Sequence, residues 1–125
     1  MARVLIVDDD GDVRDTLIRL LRLAGHDPLA PQSSVDAVRA VKSGDYDIVI
    51  TDVIMPDLDG IEIIRLVRTV KPGCPIIAIS GGSPTMPVEL GLGMAGKLGA
   101  NVTLNKPFSK DDLYAAISAL VPNIE

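Results

Sequence analysis

The sequence has few of the residues that form disulfide scaffolds and zinc sites. It contains one cysteine, one histidine and no tryptophan among 125 residues. A single cysteine cannot form an internal disulfide, and neither a zinc cluster nor a CxxC motif is possible. Cys74, between Gly73 and Pro75, is interpreted as a small loop residue. The fold must therefore depend on a hydrophobic core.

Aromatic residues are also scarce, with two tyrosines and one phenylalanine, although hydrophobic residues make up 47% of the chain. The core must then be aliphatic, built from valine, isoleucine, leucine and alanine. A chain of this length is large enough to bury such a core. No internal repeat, linker or low-complexity segment divides it. We therefore predict one domain over residues 1–125.

An excess of positive charge is missing as well. Twelve basic and 17 acidic residues give a net charge of −5 and an isoelectric point near 4.7. This balance argues against binding to nucleic acid or to an anionic membrane surface. Three arginines lie on one predicted helix and are interpreted as a solvated face: Arg14, Arg19 and Arg22.

Long apolar runs are absent too. No stretch reaches the roughly 18 residues of a membrane span, and the first residues lack a signal-peptide layout. We therefore expect a soluble protein with a cytoplasmic location.

Short apolar segments alternate with helical patterns along the chain. The predicted strands are residues 3–7, 26–31, 48–51, 76–79 and 102–104. Five strands alternating with five helices indicate a parallel sheet with helices on both faces. The second strand contains Pro28 and Pro31, which lack an N–H, so it should lie at a sheet edge. The predicted fold is a flavodoxin-like (βα)5 three-layer α/β sandwich with strand order 2-1-3-4-5.

Capping residues predict several helix ends. Gly25 and Gly44 end the first and second helices, and Ser33 and Ser109 begin the second and fifth. The fourth predicted helix, about residues 87 to 98, contains three glycines and should be weaker by roughly 3 kcal/mol than an alanine-rich helix. We therefore expect residues 82 to 97 to be the most mobile part of the domain.

Polar side chains follow four of the predicted strands, at the point where each strand ends. Asp8 and Asp9 follow the first strand, Asp52 the third, Ser80 the fourth and Lys106 the fifth. In a parallel sheet these ends share one edge, where α/β proteins bind ligands. Two carboxylates about 5 Å apart repel by roughly 3 kcal/mol at an effective dielectric of 20. A hard divalent cation with oxygen ligands relieves this repulsion, and Mg²⁺ is the natural choice.

This set of groups suits in-line capture of a phosphoryl group. Asp52 would be the nucleophile and would form an acyl phosphate. Mg²⁺ and Lys106 would neutralise charge on the transferring oxygens, and Ser80 would donate a hydrogen bond to one of them.

Four motifs in order at matching spacing resemble the receiver domain of two-component response regulators. They are VDD at 7–9, TDVIMPDLDG at 51–60, SGG at 80–82 and KPF at 106–108, and the resemblance spans residues 3–121. The resemblance implies that Asp52 is the phosphoacceptor, Asp9 a direct Mg²⁺ ligand and Asp8 a ligand through water.

The same resemblance assigns the remaining site positions. The backbone carbonyl of Ile54 would complete the protein ligands to Mg²⁺. Ser80 would be the switch hydroxyl and Lys106 the lysine that senses the phosphoryl group, with a cis bond to Pro107. Thr103 departs from the family pattern, because an aromatic residue usually stands there. Signalling is then expected to depend on the backbone and the fourth helix instead.

The resemblance also implies partners. A sensor histidine kinase or a histidine phosphotransfer protein would supply the phosphoryl group. A downstream protein would bind the surface of the fourth helix, fifth strand and fifth helix. The chain would be a monomer or a phosphorylation-dependent dimer, and it would not be an enzyme beyond its own phosphorylation and dephosphorylation. A stand-alone receiver domain and a receiver domain cut from a longer protein would both have these sequence features.

Two other functions use related features. A phosphohydrolase with phosphoaspartyl chemistry would need a second aspartate where this chain has Ile54, and a substrate cap as well. A flavin-binding module would need a hydroxyl-rich phosphate loop where Asp8 and Asp9 stand. The GxGxxG match at 91–96 does not directly follow a strand, so it does not indicate a dinucleotide site.

Overall fold

The most apolar segments of the chain form the centre of a single parallel sheet. A computed structural model describes residues 2–53, 60–80 and 99–120. Its strands are β1 (Arg3–Val7), β2 (Asp27–Leu29), β3 (Ile48–Asp52), β4 (Ile76–Ser80) and β5 (Val102–Asn105). They lie in the order β2-β1-β3-β4-β5, and every pairing is parallel. The predicted fold class and strand order are confirmed.

Burial along the strands follows their place in the sheet. Every residue of β3 and β4 is buried, which is typical of central strands covered on both faces. The edge strand β2 has only three residues, and Pro28 lies in the middle of it. The predicted edge position of this weak strand is confirmed.

Four helices are described. They are α1 (Gly11–Leu23), α2 (Ser34–Ser43), α3 (Gly60–Val70) and α4 (Lys110–Leu120). The last of these is the predicted fifth helix. The fourth predicted helix, the expected mobility of residues 82 to 97 and the glycine motif at 91–96 lie outside the described residues. No helix in the described ranges combines the length and apolarity that a membrane span requires.

The predicted caps are present at the helix ends. Ser33 Oγ accepts a hydrogen bond from the Asp36 amide at 3.1 Å. Ser109 and Asp112 form a reciprocal capping box, with donor–acceptor distances of 3.0 and 3.4 Å. Gly44 ends α2 in the left-handed region with φ of 71°, which glycine adopts without steric cost.

The sheet separates two aliphatic cores. Alternate residues of β1 point to opposite faces, so Leu5 lies in one core and Ile6 in the other. One core includes side chains from α2 and α3, and the other includes side chains from α1 and α4. The sheet therefore lies between two layers of helices.

Neither the lone cysteine nor the lone histidine is fully exposed. Cys74 lies in the loop before β4 but is buried, and burial raises the pKa of its thiol. His26, the single histidine, is half-buried, and its Nδ1 accepts a hydrogen bond from the Ala2 amide at 3.1 Å.

The guanidinium group of Arg68 links the segments that precede β4 and β5, next to the N-terminal ends of these strands. Arg68 donates to the carbonyl of Gly99 at 2.6 Å, to that of Cys74 at 2.5 Å and to Asn101 Oδ1 at 2.8 Å. Asn101 Oδ1 also accepts from the Ile76 amide at 2.9 Å. The segments that lead into both strands are thereby held to α3.

Candidate functional site

Asp52 is the last residue of β3, and the backbone around it is closely packed. Its side chain is buried, and the Val53 amide donates to the Ile79 carbonyl at 2.9 Å. The Gly60 amide donates to the Val53 carbonyl at 3.0 Å, which brings the start of α3 onto the strand end. A Cβ at Gly60 would lie 1.7 Å from the Asp52 carbonyl oxygen, so only glycine fits. The site carboxylate therefore depends on a close backbone approach.

Two further carboxylates come from the end of β1. Asp8 is buried, and its Oδ1 accepts a hydrogen bond from the Asp10 amide at 2.9 Å. Asp9 is exposed. One carboxylate oxygen from each of Asp8, Asp9 and Asp52 lies within 4.8 Å of the others. The predicted convergence of acidic strand ends is thus present in the structure.

Lys106 reaches this acidic group from the end of β5. Its Nζ lies 2.9 Å from Asp52 Oδ2 and 3.1 Å from Asp8 Oδ2. Its backbone amide donates to the Ser80 carbonyl at 3.0 Å, which ties the end of β5 to the end of β4. The bond between Lys106 and Pro107 is cis, as the resemblance implied.

The ion pairs change the titration of the lysine and of one carboxylate. Burial alone lowers the pKa of Lys106, but its hydrogen bond and attraction to Asp52, together with the charge of Asp8, raise the pKa above its ordinary value. Burial raises the pKa of Asp8, and the charge of Asp52 adds to this, while the Asp10 amide and Lys106 oppose it. The ionised form of Asp8 is therefore unfavourable in the folded protein, and the ammonium group of Lys106 only partly offsets this.

The residues fit a hard divalent cation. Asp8 Oδ2 is buried and lacks a well-aligned hydrogen bond within the described ranges, although Lys106 Nζ lies at ion-pair distance. The three clustered groups offer only carboxylate oxygens, the donor type that Mg²⁺ prefers. An oxygen with unused acceptor capacity beside two other carboxylates is a suitable ligand.

Most of the predicted site residues lie close together in the structure. It brings Asp8, Asp9, Asp52 and Lys106 together, and it puts Ser80, which is 1% exposed, at the end of the adjacent strand. Ile54 lies outside the described residues. The roles of all six residues stay predictions.

One contact to the acidic loop was missed by the sequence analysis. Arg14 Nη1 donates to the Asp8 carbonyl oxygen at 2.8 Å. Arg14 had been interpreted as part of a solvated helix face. Its place four residues after Asp10 is a signal that could have found it, because side chains of a helix lean toward its N-terminus.

Comparison with known proteins identifies the family. The family model for the response regulator receiver domain matches residues 4–118. The chain belongs to the response regulator receiver domain family. Receiver domains are the phosphoacceptor switches of two-component response regulators, so the coarse function predicted from the sequence is confirmed.

Individual receiver-domain proteins support this membership. Response regulator MprA of Mycobacterium sp. (strain KMS) is 34% identical over 119 residues, which are 95% of this chain and 50% of that protein. The chain therefore spans about half the length of the curated relatives it matches.

Solved receiver domains have the same fold. The receiver domain protein from Clostridium thermocellum superposes with a TM-score of 0.86 at 29% identity, covering 98% of this chain and 95% of that one. The beryllofluoride-activated NtrC4 receiver domain dimer gives a TM-score of 0.81 at 30% identity, with 94% of each chain covered.

Proposed function

We propose that Asp52 accepts a phosphoryl group in a Mg²⁺-dependent reaction and that this modification changes the surface used for partner binding. The observation that carries the proposal is the contact of Lys106 Nζ with both Asp52 and Asp8, beside three converging carboxylates. An ammonium held at the nucleophile can neutralise phosphoryl oxygens as they approach.

The chain's own groups account for the chemistry at Asp52. A carboxylate oxygen of Asp52 forms a bond to phosphorus while the bond between phosphorus and the donor nitrogen breaks, so an acyl phosphate results. The attacking atom is a carboxylate oxygen of a buried side chain, and no general base is needed for its attack. Lys106 transfers part of its charge interaction from the carboxylates to the new phosphoryl oxygens.

The proposed ligands for the cation are the carboxylates of Asp8, Asp9 and Asp52 with the carbonyl of Ile54. When bound, Mg²⁺ would neutralise the carboxylates and the transferring oxygens. Asp8 and Asp9 serve to hold and orient it, and the hydrogen bond from the Asp10 amide fixes Asp8 for this purpose. Ser80 would donate its hydroxyl to a phosphoryl oxygen.

The proposed donor is a sensor histidine kinase or a histidine phosphotransfer protein. The proposed output surface consists of the fourth predicted helix (about residues 87 to 98), β5 and the last helix, α4. Its proposed partner is a downstream protein. The NtrC4 receiver domain was activated by beryllofluoride and is a dimer, which supports phosphorylation-dependent pairing as one form of output. We also propose that the chain acts as a switch and not as an enzyme on other substrates.

Incubation with phosphoramidate tests the proposal. We expect wild type with Mg²⁺ to gain the mass of one phosphoryl group, while wild type with EDTA and Asp52→Asn with Mg²⁺ gain none. Asp47→Asn is the control. Asp47 precedes β3, at the end of the strand opposite to Asp52, and its carboxylate accepts a hydrogen bond from the Arg3 amide. Equal phosphorylation of Asp52→Asn would refute the assignment, and rapid turnover of phosphate esters would favour a phosphohydrolase instead.

A further inference from the structure

Arg14 contacts the loop that carries two of the proposed cation ligands. It is the fourth residue of α1, near the helix N-terminus, and its Nη1 donates to the Asp8 carbonyl oxygen at 2.8 Å. A Cβ placed on Gly11 would lie 3.5 Å from Arg14 Nη2, so the guanidinium lies close over the turn between β1 and α1. The Arg14 amide also donates to the Asp10 carbonyl at 3.0 Å.

Helix stability does not account for this position. The first turn of a helix carries partial positive charge and favours acidic residues, such as Asp12 in this helix. An arginine near the helix N-terminus is electrostatically unfavourable for α1. The carbonyl contact is therefore the better explanation of where the guanidinium lies.

The contact bears on Asp9 more than on Asp8. The carboxylate of Asp8 has its own hydrogen bond from the Asp10 amide. No hydrogen bond within the described ranges involves the exposed Asp9 carboxylate. The Asp8 carbonyl belongs to the planar peptide that leads into Asp9, so fixing its direction also fixes the backbone from which the Asp9 side chain projects.

We propose that Arg14 is a positioning residue for the cation site, acting on Asp9 through the Asp8–Asp9 peptide. This inference rests on the proposed function, because it assumes that Asp9 is a ligand. It predicts that Arg14 increases the affinity for Mg²⁺ although its own charge opposes cation binding.

The opposed signs make the inference testable. Loss of a nearby positive charge alone tightens cation binding, because a repulsion is removed. Loss of ligand positioning weakens it, and partners that orient metal ligands typically change affinity by about 10-fold or more. The direction of the change in Arg14→Met therefore separates positioning from simple electrostatics.

The experiment is a Mg²⁺ titration of the full chain, followed by the amide NMR shifts of the strand ends, on wild type, Arg14→Met, Arg14→Lys and Arg19→Met. We expect Arg14→Met to bind Mg²⁺ about 10-fold more weakly than wild type. Arg14→Lys should recover part of the affinity, because lysine keeps the charge and one donor. Arg19→Met, which removes the same charge from an exposed position of α1, should bind as wild type or slightly more tightly.

Thermal unfolding without Mg²⁺ reports whether each variant is folded. If Arg14→Met does not fold, Arg14→Gln decides, since its shorter side chain keeps a polar group but cannot reach the same carbonyl. Affinity equal to or above that of wild type in a folded Arg14 variant overturns the inference while the proposed function stands. Absence of Mg²⁺ binding by wild type overturns both.

Discussion

The site contains more negative charge than one lysine can neutralise. Lys106 contacts Asp52 and Asp8, but Asp8 Oδ2 lacks a well-aligned hydrogen bond within the described ranges. Burial and the neighbouring carboxylate raise the pKa of Asp8, so its ionised form is unfavourable in the folded protein. An ionised Asp8 therefore reduces the stability of the folded protein.

Asp8→Asn should consequently stabilise the protein in the absence of metal. The amide oxygen can still accept from the Asp10 amide, and the repulsion from Asp52 is gone. We expect the unfolding midpoint in EDTA to rise by about 4 °C, which corresponds to about 1 kcal/mol in a domain of this size.

Asp9→Asn is the matched control for this substitution. It changes the net charge equally but alters an exposed side chain, so the midpoint in EDTA should hardly move. Both variants should lose the stabilisation that Mg²⁺ gives to wild type. A lower midpoint for Asp8→Asn than for Asp9→Asn would contradict this account of the charge balance.

At the scale of elements, β3 and α3 meet in a close backbone contact beside the site. The Gly60 amide binds the Val53 carbonyl, and there is no room for a Cβ beside the Asp52 carbonyl. The first residue of α3 therefore sets how close this helix comes to the strand end.

Gly60→Ala should destabilise the fold strongly. The added methyl group forces α3 away from β3, a backbone displacement that we expect to cost about 3 kcal/mol or more. Urea denaturation measures the change. Gly73→Ala is the control, because a Cβ at Gly73 would meet nothing within 4 Å, and its free energy of unfolding should match wild type. Similar values for the two variants would mean that α3 adjusts without cost.

For the whole molecule, acid should weaken the fold partly through its single histidine. Burial, with a contribution from the amino terminus, lowers the pKa of His26, and neutral Nδ1 accepts the Ala2 amide. A lowered folded-state pKa means that this contribution is fully present above the unfolded pKa of about 6.5 and is lost as pH falls below it.

Urea denaturation at two pH values tests this expectation. From about pH 7 to about pH 5.5, wild type should lose more free energy of unfolding than His26→Gln, which cannot be protonated in that range. The difference between the two proteins isolates the histidine from the carboxylates that also begin to titrate. Parallel pH profiles would show that His26 is not linked to folding.

Much of the architecture was predictable because the relevant signals are local. Apolar runs identified the strands, Pro28 marked the edge, and Ser109 with Asp112 marked the start of the last helix. The convergence of Asp8, Asp9 and Asp52 followed from parallel topology alone, since parallel strands end at one edge.

The contacts made by long side chains were not predictable in this way. Arg68 binds backbone carbonyls of other segments, and nothing in its spacing names those acceptors. The place of Arg14 indicates only that its side chain leans toward the N-terminus of α1, and not which carbonyl it binds. The burial of Cys74 and the partial burial of His26 likewise depend on tertiary packing. The missing hydrogen bond at Asp8 Oδ2 could not be predicted from the sequence. Lys106 Nζ is close enough to this oxygen, but the angle between the two groups is unsuitable for a hydrogen bond.

The Arg68 contacts have a mechanical consequence for the site. They anchor β4 and β5 where these strands begin, whereas Ser80 and Lys106 sit where the same strands finish. The Arg68 contacts and the ion pairs of Lys106 therefore act at opposite ends of β5. If Asp52 is phosphorylated as proposed, we expect the groups at the Lys106 end to rearrange more than the segments that Arg68 holds.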